Sequence, residues 1–211
     1  MKNKRVWILL GGLVLISLAF LLLSFRLAVS NTQIMQRIMT TELEGNYPTR
    51  LQRDDKISLV LLGEGPLIGA LQKALTEQID TAGMGQIEVE QELESKYPNP
   101  VLVVNVDRPN TIWMPFFAMS QFSIHAGYAT NGETAFMKDL DTTKPYIRNP
   151  DPSVVNLYTE YEVNDRSSGL ISRPAYHRYL ADYLAQEIVQ ALKNLYNIQG
   201  PTGGMLHRSF G

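Results

Sequence analysis

The sequence predicts an α+β fold in which an N-terminal transmembrane helix precedes one exported domain, built from a mostly antiparallel sheet and two covering helices. Three observations predict this fold. An uncharged apolar run of twenty residues extends from Val6 to Phe25, two later segments place apolar residues at helical spacing, and other segments show strand patterns. The soluble elements follow in the order β-α-β-β-β-β-β-α, which is typical of a sheet with helices on one face.

The apolar run is long enough to cross a bilayer, because a helix of this length spans about 30 Å. It predicts a basic tip at residues 1–5 and a transmembrane helix at 6–26, anchored by residues such as Trp7, Leu13 and Phe20. The tip contains three basic residues, so the positive-inside rule places the N-terminus in the cytoplasm and the main domain outside it. The lipid bilayer is therefore the first expected partner.

A cleaved signal peptide is the alternative interpretation of the same run. Ala28-Val29-Ser30 offers a small-x-small cleavage site after a basic N-terminal region. The apolar run is longer than the usual signal-peptide core of about 7–15 residues, and Arg26 separates it from the cleavage site. These features favour a retained anchor, and both interpretations export the rest of the chain.

Composition excludes several classes of function. Four of the nineteen Lys and Arg residues precede residue 27 and no acidic residue does, so the exported part carries fifteen basic and twenty-one acidic residues. A surface with this negative balance disfavours nucleic acid as a partner. The chain has no cysteine, which excludes disulfides and thiolate chemistry, and it has no N-x-[ST] sequon, which fits a prokaryotic envelope.

The segment after the anchor is predicted to be a juxtamembrane helix and linker at residues 27–52. Within Ser30–Glu44 an apolar stripe falls at helical spacing, formed by Ile34, Met35, Ile38, Met39 and Leu43. This helix could be a stalk that docks on its own domain, or a seam for a partner helix. Gly45 and the Tyr47-Pro48 pair end it.

The exported domain is predicted at residues 53–200. Its first strand is Lys56–Leu62, and an amphipathic helix follows with Pro66 in its first turn and Gly83 at its C-terminal cap. Further strands are predicted at 86–90, 101–106, 111–117 and 121–129, with a hairpin signal at Asn131-Gly132 before 134–137.

The last part of the chain is predicted to contain a loop, a strand and the longest soluble helix. The loop covers 138–153, the strand covers 154–163, and a turn covers 165–169. Ser172 is a suitable N-cap for a helix that extends to about Asn197. Residues 201–211 are predicted to be a flexible tail.

Two places could hold a small ligand or a catalytic group. Gly63-x-Gly65 with Gly69 follows a strand and opens a helix, as dinucleotide sites do, but Glu64 and Pro66 disfavour phosphate binding there. His125 lies on a strand and lacks the neighbours of a zinc motif or a nucleophile elbow. No metal site, cofactor or catalytic residue is therefore predicted.

One possible anion site lies near the start of the last helix. Arg166, Ser168 and Arg173 flank the helix N-terminus, whose dipole attracts negative charge. Capping of the helix explains the same residues equally well.

The strongest candidate for a binding surface is Ile112–Met119, eight successive apolar residues with a central proline. Proline cannot donate to a strand ladder, so this segment is either buried on both faces or partly exposed. Aromatic and methionine side chains are typical of binding hot spots. The expected partner-contact residues are Trp113, Met114, Phe116, Phe117 and Met119.

These observations predict a non-catalytic, membrane-anchored extracytoplasmic domain. It would act as an accessory or assembly subunit with membrane or envelope protein partners. The alternative is an extracytoplasmic small-ligand-binding protein or hydrolase, with a pocket near Gly63–Gly69 or His125.

Overall fold

The computed structural model describes residues 11–12, 14, 25–41, 56–137, 146–147 and 154–198. Its fold is α+β, with a mostly antiparallel sheet and two helices. The elements are β1 (Arg26–Thr41), β2 (Lys56–Leu62), α1 (Pro66–Thr81), β3 (Gln86–Glu90), β4 (Val101–Val106), β5 (Asn110–Met114), β6 (Phe117–Ala129), β7 (Tyr146–Ile147), β8 (Asn156–Ile171) and α2 (Arg173–Ile198).

The strands form one sheet in the order β3-β2-β4-β6-β8-β1-β7, and β5 also pairs with β6. β4 and β5 share one edge of β6, because β4 pairs with its second half and β5 pairs with its first half. The centre consists of long antiparallel ladders: β8 makes thirteen residue pairs with β6 and fifteen with β1. Among the strands that the structure describes, β2 pairs in parallel with β3 and β4, and β1 pairs in parallel with β7.

Both predicted helices form, and both caps are where the sequence indicates. Gly83 has a positive φ of 64°, and its N–H donates to the Asp80 carbonyl while Met84 N–H donates to Ile79. This arrangement ends α1 with the left-handed residue that glycine adopts without strain. Ser172 precedes α2, and its Oγ accepts from the N–H of Ala175 at 3.4 Å.

The main core lies between the helices and one face of the sheet. Leu71 of α1 and Leu184 of α2 are buried, as their helical stripes predict. They pack in one cluster with residues such as Ile124 of β6 and Tyr161 of β8. Burial of these apolar stripes is the main stabilising contribution to both helices.

The opposite side of the sheet, here called the open face, is covered only at one end within the described part of the chain. There Tyr97, Phe136 and Met137 pack on a small cluster that includes Val101 and Val103. A Cβ at Gly127 would lie 2.5 Å from Met137 Sδ, so this close approach requires glycine.

The helix predicted for Ser30–Glu44 is wrong over its described residues, which belong to strand β1. The apolar spacing is compatible with both periods, since Ile34 and Ile38 face the helices while Met35 and Met39 face the other way. Fifteen pairs with β8 then decide in favour of the strand. The folded domain therefore includes Arg26–Thr41, and its first strand begins directly after Phe25.

Two smaller predictions are also corrected. The turn predicted at 165–169 is the second half of β8, which continues to Ile171 because β1 and β6 flank it on both sides. The strand predicted at 134–137 is a short 3-10 turn at Ala135–Met137, and Tyr146–Ile147 of the predicted loop forms β7.

No helix in the described part of the chain has both the length and the apolar character needed to cross a bilayer. Gly11, Gly12 and Val14 are helical. The predicted anchor residues Trp7, Leu13 and Phe20 lie outside the described residues, as do the basic tip at 1–5 and the tail at 201–211.

Candidate functional site

The open face carries most of its exposed apolar side chains at one end, and Met35 is the exception further along β1. Strand register aligns the side chains of β1, β8, β6 and β5 in rows across the sheet. The apolar side chains of the first rows, together with Phe116 in the turn between β5 and β6, are here called the apolar end. They are Leu27, Val29, Ile112, Met114, Phe116, Phe117 and Met119.

Solvent reaches most of the apolar end. The exposed fractions are 74% for Leu27, 81% for Val29, 52% for Met114 and 68% for Phe116. Single exposed apolar residues are common on protein surfaces, but a contiguous cluster of large ones marks an interaction site.

The apolar character stops abruptly along the strands. Two rows beyond Val29, the open face presents only side-chain amides, from Gln33, Asn164, Gln121 and Asn110. Successive rows on one face of a sheet are about 7 Å apart, so the change occurs within about 15 Å. The open face is therefore amphipathic along the strand axis.

The hairpin between β5 and β6 is fixed to the end of β8. The carbonyl of Pro115 accepts from Ile171 N–H and the carbonyl of Phe116 accepts from Gly169 N–H, both at 3.0 Å. Gly169 has φ 122°, and a Cβ there would lie 2.4 Å from the Leu27 carbonyl oxygen. The tip of the hairpin is thus hydrogen-bonded to the end of β8, level with the start of β1.

The structure divides the predicted contact residues into two groups. Met114, Phe117 and Met119 lie at the apolar end on the open face, and Phe116 is exposed in the turn between β5 and β6. Trp113 lies on the other face, where it packs against the main core and its Nε1–H donates to the Ile171 carbonyl at 3.1 Å. Trp113 is therefore half-buried against the core on the helical side of the sheet, apart from the open face.

The structure does not bring the three residues of the predicted anion site together. Arg166 and Ser168 are exposed on the open face, in rows beside Met119 and Phe117. Arg173 lies on the helical side, where it lines the groove between α1 and α2. The two basic side chains are thus on opposite sides of the sheet.

The groove between the helices has a volume of about 620 Å³ and a mixed charge lining. Its polar lining residues are Lys73, Glu77, Arg173, His177, Arg178 and Asp182. Burial of His177, and the nearby charge of Arg173, lower the pKa of its imidazole. Burial raises the pKa of the Asp182 carboxyl.

The glycine turn at Gly63–Gly69 is used for packing. A Cβ at Gly63 would lie 3.0 Å from the Val106 carbonyl oxygen, so the turn lies directly on the end of β4. The Ile68 N–H donates to the Gly65 carbonyl at 3.1 Å, and Pro66 has no N–H. This geometry favours a tight helix start over a phosphate cradle.

His125 takes part in a short polar chain on the open face. Its Nδ1 lies 2.7 Å from the Tyr158 hydroxyl, and its Nε2 lies 3.4 Å from Asp107 Oδ2. Burial and the neighbouring Glu160 raise the pKa of Tyr158, so its hydroxyl stays protonated and is a poor nucleophile. The arrangement holds the ring in place and presents no activated group.

No group of three or more His, Asp or Glu side chains within the described ranges could hold a metal ion.

Sequence reasoning missed a buried polar cluster under α2. Asp165 Oδ1 accepts from the Thr32 hydroxyl at 2.6 Å, and Oδ2 accepts from Tyr176 at 2.8 Å and Ser167 at 3.1 Å. Ser30 and Tyr179 extend the cluster through Ser167 and Thr32. Alternating hydroxyls in both strands could have indicated it, if residues 26–41 had been predicted as a strand. Asp165 has no exposed surface, which makes this a structural cluster.

No model of a protein family matches this sequence, and no curated protein matches it. Solved structures that match this chain include two of the PelC dodecamer from Paraburkholderia phytofirmans. Each is 12% identical and covers 75% of this chain and 97% of that chain, with TM-scores of 0.36 and 0.37. A minor lipoprotein from Acinetobacter baumannii is 12% identical and covers 67% of this chain and 94% of its own, with a TM-score of 0.33. At such scores the likeness supports no conclusion about function.

Proposed function

We propose that this chain is a non-catalytic, membrane-anchored extracytoplasmic subunit that binds an envelope protein through the open face of its sheet. The observation that carries the proposal is the open face itself. β1, β8 and β6 are 16, 16 and 13 residues long, and their middle rows are exposed opposite the two helices.

The middle rows have the character of a protein-binding platform. Beyond the amide row, Met35 and Glu162 are exposed, followed by Arg37 on β1. Long antiparallel ladders hold these side chains in a fixed register, so a partner would meet a pre-organised surface. A mixture of amides, charges and one methionine suits a non-obligate interface, which is about as polar as the rest of a protein surface.

The enzymatic alternative receives less support from the geometry. A hydrolase would need an accessible activated nucleophile, whereas the polar chain at His125 holds a protonated tyrosine. Pro66 is the residue of the Gly63–Gly69 turn that lines the interhelical groove. Basic and acidic side chains both line this groove, so it presents no surface of a single charge.

Site-specific cross-linking in native membranes tests the proposal. The full-length chain would carry a photo-cross-linking amino acid at Gln33, in the middle of the open face, or at Gln186, which is exposed on α2. We expect Gln33 to give one discrete adduct with a membrane or envelope protein, and Gln186 to give none. The Asn164→Arg variant, whose side chain lies next to Gln33 across the β1–β8 ladder, should reduce the adduct at least fivefold.

Two outcomes would contradict the proposal. Equal adducts at Gln33 and Gln186 would show that cross-linking follows general exposure and not a binding face. An adduct that consists of two copies of this chain would replace the accessory role with self-assembly.

A further inference from the structure

The start of β1 ties the apolar end of the open face to the predicted bilayer span. Phe25, the last residue of the apolar run, pairs with Ser172 through two backbone–side-chain contacts and one backbone hydrogen bond. Arg26 is already the first residue of β1. The sheet therefore begins where the apolar run ends, with no spacer between them.

This junction fixes how far the apolar end can lie from the span. Leu27 and Val29 follow Phe25 by two and four residues, which is about 7 and 13 Å along a strand. Gly169 pairs with Ala28, and its N–H donates to the Phe116 carbonyl, so the hairpin tip lies level with the start of β1. Two strand spacings, or about 10 Å, separate β1 from β6 across the sheet.

We propose that the apolar end rests in the interfacial layer of the same bilayer that the apolar run spans. The inference rests on the membrane anchor of the proposed function and names the bilayer as a second contact of the domain. The interfacial layer is about 5–8 Å thick on each side of the hydrocarbon core. Leu27, about 7 Å from Phe25 along the strand, lies within that depth, and a tilt of the strands towards the membrane plane brings in the next row, which contains Val29 and Met114.

The rows beyond the apolar end carry polar side chains, as expected next to the lipid headgroups. Arg166 lies one row beyond Phe117, with Ser168 in the row of Phe117 itself. A guanidinium on a long stem can reach lipid phosphates while its apolar neighbours enter the layer below. The amide row that follows then faces water, in agreement with the proposed partner surface further along the strands.

The position of the apolar end favours the bilayer over other binding partners. A protein partner could bind at any exposed place on the domain, whereas a lipid contact is possible only at the end next to the span. Most of the large exposed apolar side chains of β1 and the β5–β6 hairpin cluster at that end, and the exceptions are Met35 and Ile38 further along β1. A second copy of the chain, or residues of the chain's own N-terminal part, are the other occupants that the test must separate.

Spin labels placed at single cysteines test the proposal, because the natural sequence has no cysteine. The full-length chain would carry Phe116→Cys, or Met35→Cys as a matched control. Phe116 and Met35 are both 68% exposed, but Phe116 lies in the turn at the apolar end, whereas Met35 lies three rows further along β1 than Val29. Each variant would be reconstituted at one chain per nanodisc of phosphatidylethanolamine and phosphatidylglycerol.

Collisions with two relaxation agents would report the surroundings of each label. Oxygen is concentrated in lipid, whereas a nickel chelate stays in water. We expect the ratio of oxygen collisions to nickel-chelate collisions to be at least fivefold higher for the Phe116 label than for the Met35 label. Met114→Cys supplies a second position at the apolar end if Phe116→Cys does not fold.

Labels at the apolar end that meet the nickel chelate as often as the Met35 label would overturn the proposal. Protection from both agents at one chain per disc would also overturn it, because the chain's own residues would then cover the patch. A chain that alkaline carbonate extracts from the membrane would lack the anchor, and that result would contradict the proposed function itself.

Discussion

Ser172 is joined to Phe25 by reciprocal hydrogen bonds. The Phe25 N–H donates to Ser172 Oγ at 3.0 Å, and the Ser172 N–H donates to the Phe25 carbonyl at 3.0 Å. The same serine caps α2, since its Oγ accepts from Ala175 N–H. One side chain therefore links the end of the apolar run to the first turn of the longest helix.

The first prediction concerns this link. Ser172→Ala should lower the free energy of unfolding by about 1–2 kcal/mol, because the substitution removes the cap of α2 and an acceptor for Phe25 N–H. Ser168→Ala is the matched control: Ser168 is exposed on the open face, and its loss should change the free energy by less than about 0.5 kcal/mol. Chemical denaturation followed by tryptophan fluorescence measures both variants. Equal midpoints for the two variants would contradict the role assigned to Ser172.

The second prediction concerns the buried cluster around Asp165. Asp165→Ala leaves the hydroxyls of Thr32, Ser167 and Tyr176 without their shared acceptor, and should cost about 3 kcal/mol or more. Tyr176→Phe removes only one donor and should cost about 1–2 kcal/mol. The neighbouring Asn164 is exposed, so Asn164→Ala should have little effect.

Thermal unfolding ranks these three variants. If Asp165→Ala proved no more destabilising than Tyr176→Phe, the hydroxyls would have other acceptors and Asp165 would not organise the cluster. A stabilised Asp165→Ala variant would show that desolvation of the carboxylate outweighs its hydrogen bonds.

Much of the fold could be predicted from local patterns. Both helices, their caps at Gly83 and Ser172, and the strands from Lys56 to Val106 follow from apolar periodicity and turn residues. Long-range pairing decided the rest. The apolar residues of 30–44 fit a helix and a strand equally, and only the ladder with β8 selects the strand.

The same long-range effect limited prediction of the site. Aromatic and methionine content identified the correct hairpin, but periodicity alone could not place the turn at Pro115 and Phe116. The face that each side chain takes follows from that turn, so the sequence pattern alone does not separate Trp113, on the core side, from Met114, on the open face. Leu27 and Val29 could not be assigned to the surface while their segment was expected to be helical.

The third prediction separates the two faces of the hairpin. Trp113→Ala removes core contacts and a hydrogen bond to Ile171, so it should cost about 2–4 kcal/mol. Phe116→Ala truncates an exposed side chain and should change the free energy of unfolding by less than about 1 kcal/mol. Denaturant titration of the two variants under the same conditions measures the difference. Similar costs for both would show that Phe116 is covered in the folded protein.

The fourth prediction concerns acid sensitivity at His177. This side chain is 8% exposed on α2, in the groove that Lys73, Glu77, Arg173, Arg178 and Asp182 also line. Burial first, and then the charge of Arg173, lower the pKa of the imidazole from its ordinary value of 6.5. The folded protein therefore prefers the neutral ring, whereas the unfolded chain takes up a proton near pH 6.5.

The sign of the effect follows from this difference. Above pH 6.5 both states hold a neutral ring, so the full stability is present. As the pH falls below 6.5 the unfolded state binds the proton more readily, and the free energy of unfolding decreases until the pH passes the lowered pKa of the folded state. His177→Gln cannot take up a proton, so it should flatten the stability profile in the range below pH 6.5. Denaturant midpoints measured across this range test the prediction, together with NMR titration of the His177 ring. A folded-state pKa at or above 6.5, or an unchanged slope in the Gln variant, would show that the groove does not disfavour the charged imidazole.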